Sequence, residues 1–243
     1  MKLNRFAIIA LAILSAAACK KEAGSTDGSI RFAVASSDEL REVTKSAVSD
    51  YTSLPSAGAF KISIQSSDNA EVWSGLISEW DASTALNAGN YTVSATYGEE
   101  TSEGFDKPYF AGSTSFAVQG GQTTTVSIPV ELGNSLVKVS CTDSFNNYFP
   151  SYSFKVTTGN STIDFAKGET RAAFIEAFRF TISGTLTNQA GVSSSFSKDY
   201  SNLEAKTCYQ IAFDADNVGG VTVTVTFNAT TETIALGDIE LND

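Results

Sequence analysis

Apolar side chains recur at every second position along nearly the whole chain beyond residue 28. Ile30, Phe32 and Val34 alternate with polar or small residues, as do Phe60, Ile62 and Ile64, then Tyr91, Val93, Ala95 and Tyr97, then Val126, Ile128 and Val130. The later part repeats the device at Val137 and Val139, Phe154 and Val156, Phe180 and Ile182, and Val221, Val223 and Val225. Successive side chains of a β-strand point to opposite faces, so this period belongs to strands with one buried and one wet face. Ser and Thr fill the wet positions, and Ala88-Gly89-Asn90, Gly120-Gly121, Asp216-Asn217 and Gly219-Gly220 supply turns. Pro129 has no N–H to give a ladder, which places its run on an edge or at a strand end. Only Gly168 to Phe178, with Glu169, Arg171, Ala172, Ala173 and Glu176, has helix-favouring composition, and both a short helix and a loop are open there. The expected fold is all-β.

The pattern is also internally repetitive. Tyr91-Thr-Val-Ser-Ala-Thr96 matches Phe180-Thr-Ile-Ser-Gly-Thr185 in residue class, and Phe60-Lys-Ile-Ser63 matches Phe154-Lys-Val-Thr157 in the same order. Tandem duplication is favoured over compositional coincidence. The expected architecture is two tandem antiparallel β-sandwich domains, Ig-like or transthyretin-like, over 29–132 and 133–243, with Glu131 to Asn134 as the joint.

Composition narrows the chemistry. The 243 residues include no histidine, which removes Ser-His-Asp and Cys-His catalysis, histidine metal sites and the usual switch near neutral pH. Sixteen basic against 27 acidic residues give a formal charge of −11, which repels nucleic acid and offers no polybasic attraction to anionic lipid.

The N-terminus carries an address. Lys2 and Arg5 precede a run of apolar and small residues from Phe6 to Ala18, too short to span a bilayer but suited to a secretory signal. Its end, Ser15-Ala16-Ala17-Ala18-Cys19, resembles the bacterial lipobox, although Ala16 stands where Leu or Val is commonest. The lipoprotein reading is preferred over ordinary cleavage that would leave Cys19 a plain thiol. Residues 1–18 are then a lipoprotein signal peptide, Cys19 is lipidated, and 19–28 form a tether. Loss of Lys2 and Arg5 takes the charge from −11 to −13. Several acyl chains anchor a protein without any membrane-spanning helix, each buried CH₂ contributing about 0.8 kcal/mol. The expected location is the outer membrane, on its surface or its periplasmic face.

Two cysteines remain, Cys141 and Cys208, an even pair in an oxidising compartment. Cys141 continues the apolar set of Val137 and Val139, whereas Cys208 alternates with Tyr209, Ile211 and Phe213, so the parity opposes a bridge that the even count favours. Both outcomes stand. Aromatic residues give two candidate contact patches for a sugar or a protein: Tyr148, Phe149 and Tyr152, near Phe145, and Tyr109 with Phe110, although packing into a sandwich end is the commoner use of such clusters. Trp73 and Trp80 are expected to pack against the first domain. Asp214-Ala-Asp216-Asn217 opens like a calcium loop, but Val225 occupies the position of the closing carboxylate, so a hairpin turn is expected. Glu99-Glu100 and Asp38-Glu39 are read as solvated charge. No catalytic residue, metal or cofactor is expected.

Several words stand in a familiar order: Glu42-Val-Thr-Lys45, Ala88-Gly-Asn-Tyr-Thr-Val-Ser-Ala-Thr-Tyr-Gly98, Phe105-Asp-Lys-Pro-Tyr-Phe110, Phe116 to Val130, and Asp164-Phe-Ala-Lys-Gly-Glu-Thr-Arg171. Together they resemble a family of Bacteroidota lipoproteins catalogued as a domain of unknown function of the DUF4493 type, with Phe105 to Tyr109 as the most specific word. The likeness covers most of residues 29–226, and the segment Thr52 to Gly58 is longer than usual. The family brings no catalytic residues. Its members look distantly like fimbrillin-type surface lipoproteins. That resemblance implies adhesion or assembly by strand exchange: Ile30 to Val34 as a removable strand, Arg41 or Lys45 as the processing point, and Thr231 to Leu241 as a donor. An ordinary monomer with two edge strands is the simpler alternative. The expected partners are the membrane through Cys19 and a protein or further copies of the chain, with no nucleic acid. A glycan-binding accessory lipoprotein of an outer-membrane uptake system is the second functional reading.

Overall fold

The computed structural model describes residues 27–36, 47–215, 221–227 and 230–236. Strands dominate them. The first half carries β1 (Asp27–Ser36), β2 (Lys61–Ser66), β3 (Glu71–Leu76), β4 (Leu86–Asn87), β5 (Gly89–Tyr97), β6 (Gly104–Phe105), β7 (Phe110–Val118) and β8 (Thr123–Leu132). The second carries β9 (Ser135–Cys141), α1 (Asp143–Tyr148), β10 (Ser151–Thr157), β11 (Thr162–Phe165), β12 (Ala173–Ile175), β13 (Arg179–Thr187), β14 (Ser193–Ser201), β15 (Cys208–Ala215), β16 (Val221–Phe227) and β17 (Thr230–Leu236).

In the first half the hydrogen-bonded order is β3-β2-β5-β7-β8-β1-β4. The β7–β8 ladder holds only two pairs, Phe110 with Leu132 and Ala111 with Glu131. Beyond them Pro129 offers no N–H, and Gly112 lies so close that a Cβ on it would stand 1.9 Å from the Pro129 carbonyl oxygen. Pro129 is therefore interior to β8, and it stands where the β7 ladder has stopped. The sheet folds over at this break. Ile62, Ile64 and Val93 from one side share a core with Ile30, Ile128 and Val130 from the other.

The second half pairs a four-stranded sheet, β11-β10-β13-β14, with a six-stranded one, β17-β16-β15-β9-β12-β6. Phe154, Val156, Ile182 and Leu186 meet Val139, Ile211 and Phe213 between them, and Phe154 stacks on Phe213 at 4.2 Å between centroids. Two ladders depart from the antiparallel expectation, because β1 pairs with β8 and β9 with β15 in parallel.

The pairing pattern occurs twice. β2 lies between β3 and β5 as β10 lies between β11 and β13, and the parallel pair of β1 and β8 has its counterpart in β9 and β15. Ile62 faces Ala95 on β5, while Val156, its counterpart, faces Ile182, the counterpart of Val93. The register thus differs by two residues between the halves. An even slip keeps every side chain on its own face, so both cores survive it.

Two local points are settled by the structure. Of the two conformations open to Gly168–Phe178, the helix does not form: the chain turns at Gly168 (φ +84°) and then pairs as β12, because Glu169 accepts the backbone N–H groups of Thr170 and Arg171 and competes with helical bonding. The helix lies instead at α1, where the Thr142 hydroxyl accepts the Phe145 N–H at 3.2 Å as an N-cap. It ends just before Pro150, which disfavours helical geometry at Phe149. Asp214, read as part of a turn, belongs to β15. Its carboxylate accepts the hydroxyls of Thr142 (2.5 Å) and Ser144 (3.1 Å), bracing the same cap.

A methyl group at Gly112 has no room. Gly112→Ala is expected to lower stability by about 2 kcal/mol or more, while Gly159→Ala, whose added Cβ meets nothing within 4 Å, leaves it within about 1 kcal/mol; denaturant unfolding of the two variants checks this.

Candidate functional site

β1 is a ten-residue strand whose two edges are framed unequally. One edge runs in parallel with β8 over eight residue pairs, Ser29 to Ser36. Among the described residues, the other edge pairs with β4 at Asp27 and Gly28. Past that point a side chain covers it: the Trp80 indole N–H donates to the Ile30 carbonyl at 3.2 Å. Trp80 also meets Phe32 edge-on at 5.4 Å and Trp73 at 5.1 Å, so both tryptophans pack onto the first core. Ile30 is fully buried and Phe32 and Val34 half-buried. Withdrawing β1 would open a groove between Trp80 and β8. Toward the other end of the chain, β17 pairs with β16 and, among the described residues, forms the edge of its sheet. Cys19, Arg41 and Lys45 lie outside the described residues, as do Ile239 and Leu241.

The two candidate aromatic patches stay separate: Tyr148, Phe149 and Tyr152 gather around Phe145, whose ring centre lies 4.9 Å from that of Phe149 and 5.3 Å from that of Tyr152, while Tyr109 and Phe110 belong to the first half. Phe110 and Phe149 are buried at 0% and 1% exposure and belong to the two cores, which corrects their reading as ligand contacts. Tyr109 is half-buried at the joint between the halves, its N–H donating to the Asn134 side-chain oxygen. Burial and then Glu100 and Glu99 push its phenol upward. Tyr148 packs on Phe149 at 5.1 Å. Tyr152 alone faces a cleft, with its hydroxyl donating to Asn146 Oδ1 at 2.7 Å and the Lys167 ammonium 5.2 Å from its ring centre.

The Cys141–Cys208 bridge is not formed. Cys208 is in register with Leu136 and Cys141 with Phe213 on adjacent parallel strands, five positions apart. That separation is about 16 Å at strand rise, against the roughly 4.4–6.8 Å between Cα atoms that a disulfide needs. The two also face opposite ways, Cys208 into the first core and Cys141 onto the second. Parity decides against the even count.

The word Phe105-Asp-Lys-Pro-Tyr-Phe110 proves to be the connection between the halves. Phe105 on β6 pairs with Ala173 on β12 and meets Phe165 of the second core edge-on at 5.1 Å. The Arg171 guanidinium lies 4.4 Å from the Phe105 ring centre and binds Asp106 at 3.1 Å. Asp106 adopts φ +57°, the bend that turns the chain back to Phe110. Just before it, Glu103 accepts hydroxyls from Thr158 and Ser161 and the Glu176 N–H.

The profile of the family described as domain of unknown function DUF4493 matches residues 26–243. The chain belongs to that family. No curated protein matches the sequence. Among solved structures, this family member is similar to a protein of Bacteroides uniformis provisionally described as a cell adhesion protein, with TM-score 0.48, 11% identity, and 87% of this chain and 99% of the other covered. It is also similar to a Bacteroides fragilis protein with the same provisional description (TM-score 0.47, 7% identity, 85% and 99% covered). A third likeness is to the fimbrial anchor protein Mfa2 of Porphyromonas gingivalis (TM-score 0.37, 10% identity, 84% and 98% covered). No helix among the described residues of the DUF4493 chain is long and apolar enough to cross a membrane.

Two outcomes follow from the geometry. Unfolded without reductant, the protein is expected to take up an alkylating label at both Cys141 and Cys208, read by intact mass; a bridged pair would take up none. Hydrogen bonds from the Arg171 side chain, then its backbone N–H, hold the Glu169 carboxyl down to about 2. A depressed carboxylate stabilises the fold above its unfolded value of about 4.3, and that contribution fades as pH falls toward about 2. An NMR titration should therefore place the Glu169 midpoint near 2, and Arg171→Ala should move it part of the way up toward the ordinary range, because the backbone N–H groups of Thr170 and residue 171 still donate to the carboxylate.

Proposed function

We propose that this protein is a non-enzymatic, lipid-anchored outer-membrane protein that serves adhesion or subunit assembly, with β1 as its exchangeable strand. The supporting observation is the framing of β1. Among the described residues, one parallel ladder, a two-residue pairing with β4 and the Trp80 indole hold a strand that inserts Ile30 into the first core and lays Phe32 and Val34 against it. Burial of those three side chains contributes on the order of 5 kcal/mol, a gain equally open to an incoming strand of the same pattern. An extended segment from another copy would recover both the β8 ladder and the apolar contacts. The sequence that forms β17 supplies Ile234 and Leu236 at the required period, and the sequence beyond it supplies a second such pair, Ile239 and Leu241, in the opposite phase. In this reading Cys19 carries the anchor, 19–28 is the tether, whose last two residues already pair with β4, and 29–132 and 133–243 are the two β-sandwich domains.

Limited digestion at Arg41 or Lys45 provides the test. Cleavage there is expected to release β1 and to yield a ladder of oligomers on size-exclusion chromatography. Fully cleaved protein that stays monomeric and keeps β1 bound would contradict the proposal. The anchor is tested separately: Cys19→Ser should move the protein from the membrane fraction to the soluble one and abolish fatty-acid labelling.

A further inference from the structure

β12 follows β9 for only three pairs, Ser135 to Val137. Two residues further, the same register would set residue 171 opposite Val139, its side chain on the second-core face with those of Val137 and Ala173. Residue 171 is an arginine. Its guanidinium stays outside, bound to Asp106 (3.1 Å) and Glu169 (2.9 Å) and 4.4 Å from the Phe105 ring centre, and the chain before β12 turns away with it. The gap left beside β9 is a cleft of about 380 Å³, within the roughly 300–1,000 Å³ typical of small-ligand sites.

One rim of the cleft is a bare strand edge. The N–H groups of Leu136 and Thr142 both donate toward β15, to Thr207 and Phe213 carbonyls at 2.8 and 3.0 Å. Peptide groups alternate in direction along a strand, so those of Val137, Val139 and Cys141 turn the other way. Val137 meets β12, and the Cys141 carbonyl accepts the Asn146 side-chain amide at 3.4 Å. Among the described residues nothing takes the Val139 N–H and C=O or the Cys141 N–H. Phe154 and Phe165 form the floor, with Tyr152 and Cys141 beside it.

No free charge faces this space among the described residues. The Lys138 ammonium lies on the opposite face of β9, 5.9 Å from the ring centre of Tyr51 on the first core. Lys167 donates to the Pro150 carbonyl at 2.9 Å, and Arg171 engages Glu169 through Nε (3.1 Å) and Nη2 (2.9 Å). Burial pushes the Cys141 thiol up, so it too stays neutral. A fitting occupant is therefore uncharged where it is enclosed, sets a donor and an acceptor one residue apart, and carries an apolar group between them. An extended peptide meets all three conditions with a single residue.

We propose that this cleft binds an extended peptide segment of a protein partner, which runs antiparallel to β9 from the point where β12 leaves it. The residue opposite Val139 exchanges both main-chain hydrogen bonds with it and seats an apolar side chain over Phe154 and Phe165. The Cys141 N–H takes the carbonyl two residues earlier in the partner. No strand of the fold is displaced, so the site works without any exchange at β1.

The probe is the peptide acetyl-Ser-Thr-Phe-Thr-Ser-amide, beside one relative N-methylated at Phe and one with Gly in its place. NMR-detected hydrogen exchange of the isotope-labelled mature chain reads the outcome. Saturating Phe peptide is expected to slow exchange of the Val139 and Cys141 amides about tenfold or more, while Ser140, which faces β15, changes little. N-methylation removes the donor to the Val139 carbonyl and Gly removes the apolar group, so each relative should bind about tenfold more weakly or worse. No protection of either amide at about 1 mM peptide and above, or equal affinity of the three peptides, overturns the proposal. So does a Val139 amide as protected as Ser140 in the free chain at low concentration. Protection that grows with protein concentration alone would assign the edge to a second copy of the chain and overturn the separate partner.

Discussion

The contact on which the rest of the structure depends is the insertion of residues 103–110 of the first half into the second. Glu103 clamps the β10–β11 turn, Phe105 extends the six-stranded sheet and touches Phe165, and Asp106 receives Arg171. The covalent joint beside it is equally enclosed. Asn134 and Ser135 are buried, with the Asn134 carbonyl accepting the Lys206 N–H at 2.8 Å and the Ser135 hydroxyl donating to the Glu204 carbonyl at 2.8 Å. Lys206 also reaches back to Glu131 at 2.5 Å. Buried polar groups that are all satisfied fix one geometry and penalise any other.

This arrangement makes the six-stranded sheet a shared wall near the joint. Leu136, Phe174 and Cys208 point into the first core, while Val137, Ile175 and Tyr209 point into the second. Burial on both faces explains why β9 opens with three consecutive buried residues instead of an alternation. It also separates the two features with functional promise. The β1 edge lies on the first core, framed by Trp80, whereas the cleft lined by Tyr152, Phe154 and Phe165 lies where β9 parts from β12. Neither shares residues with the other, so one can change without disturbing the other.

Much of the fold was legible in the sequence because a half-buried strand writes its period directly: Ile62 and Ile64, Val126 and Ile128, and Phe154 and Val156 all face cores as the alternation requires. Parity along β9 and β15 also showed Cys141 and Cys208 facing apart, a stronger constraint than their even number. What could not be read was set by distant partners. The parallel ladders depend on which strands meet, and alternation carries no direction. β12 has a helix-like composition, and its strand geometry comes from Val137 on one side and Phe105 on the other. α1 is six residues with two asparagines, too short for a period, and its legible signals were the cap at Thr142 and the stop at Pro150. The cleft arises where Arg171 is drawn toward Asp106, 65 positions away, a pairing without a local trace. The Phe105 word was recognisable as specific before its role as the connection was visible.

Scanning calorimetry of the mature protein tests most directly whether residues 103–110 weld the halves into one cooperative body. The structure predicts a single transition whose calorimetric and van't Hoff enthalpies agree, and its separation into two in a Glu103→Ala, Phe105→Ala double variant. Two independent transitions in the unaltered protein, or a double variant that still unfolds as one unit at the same temperature, would contradict it.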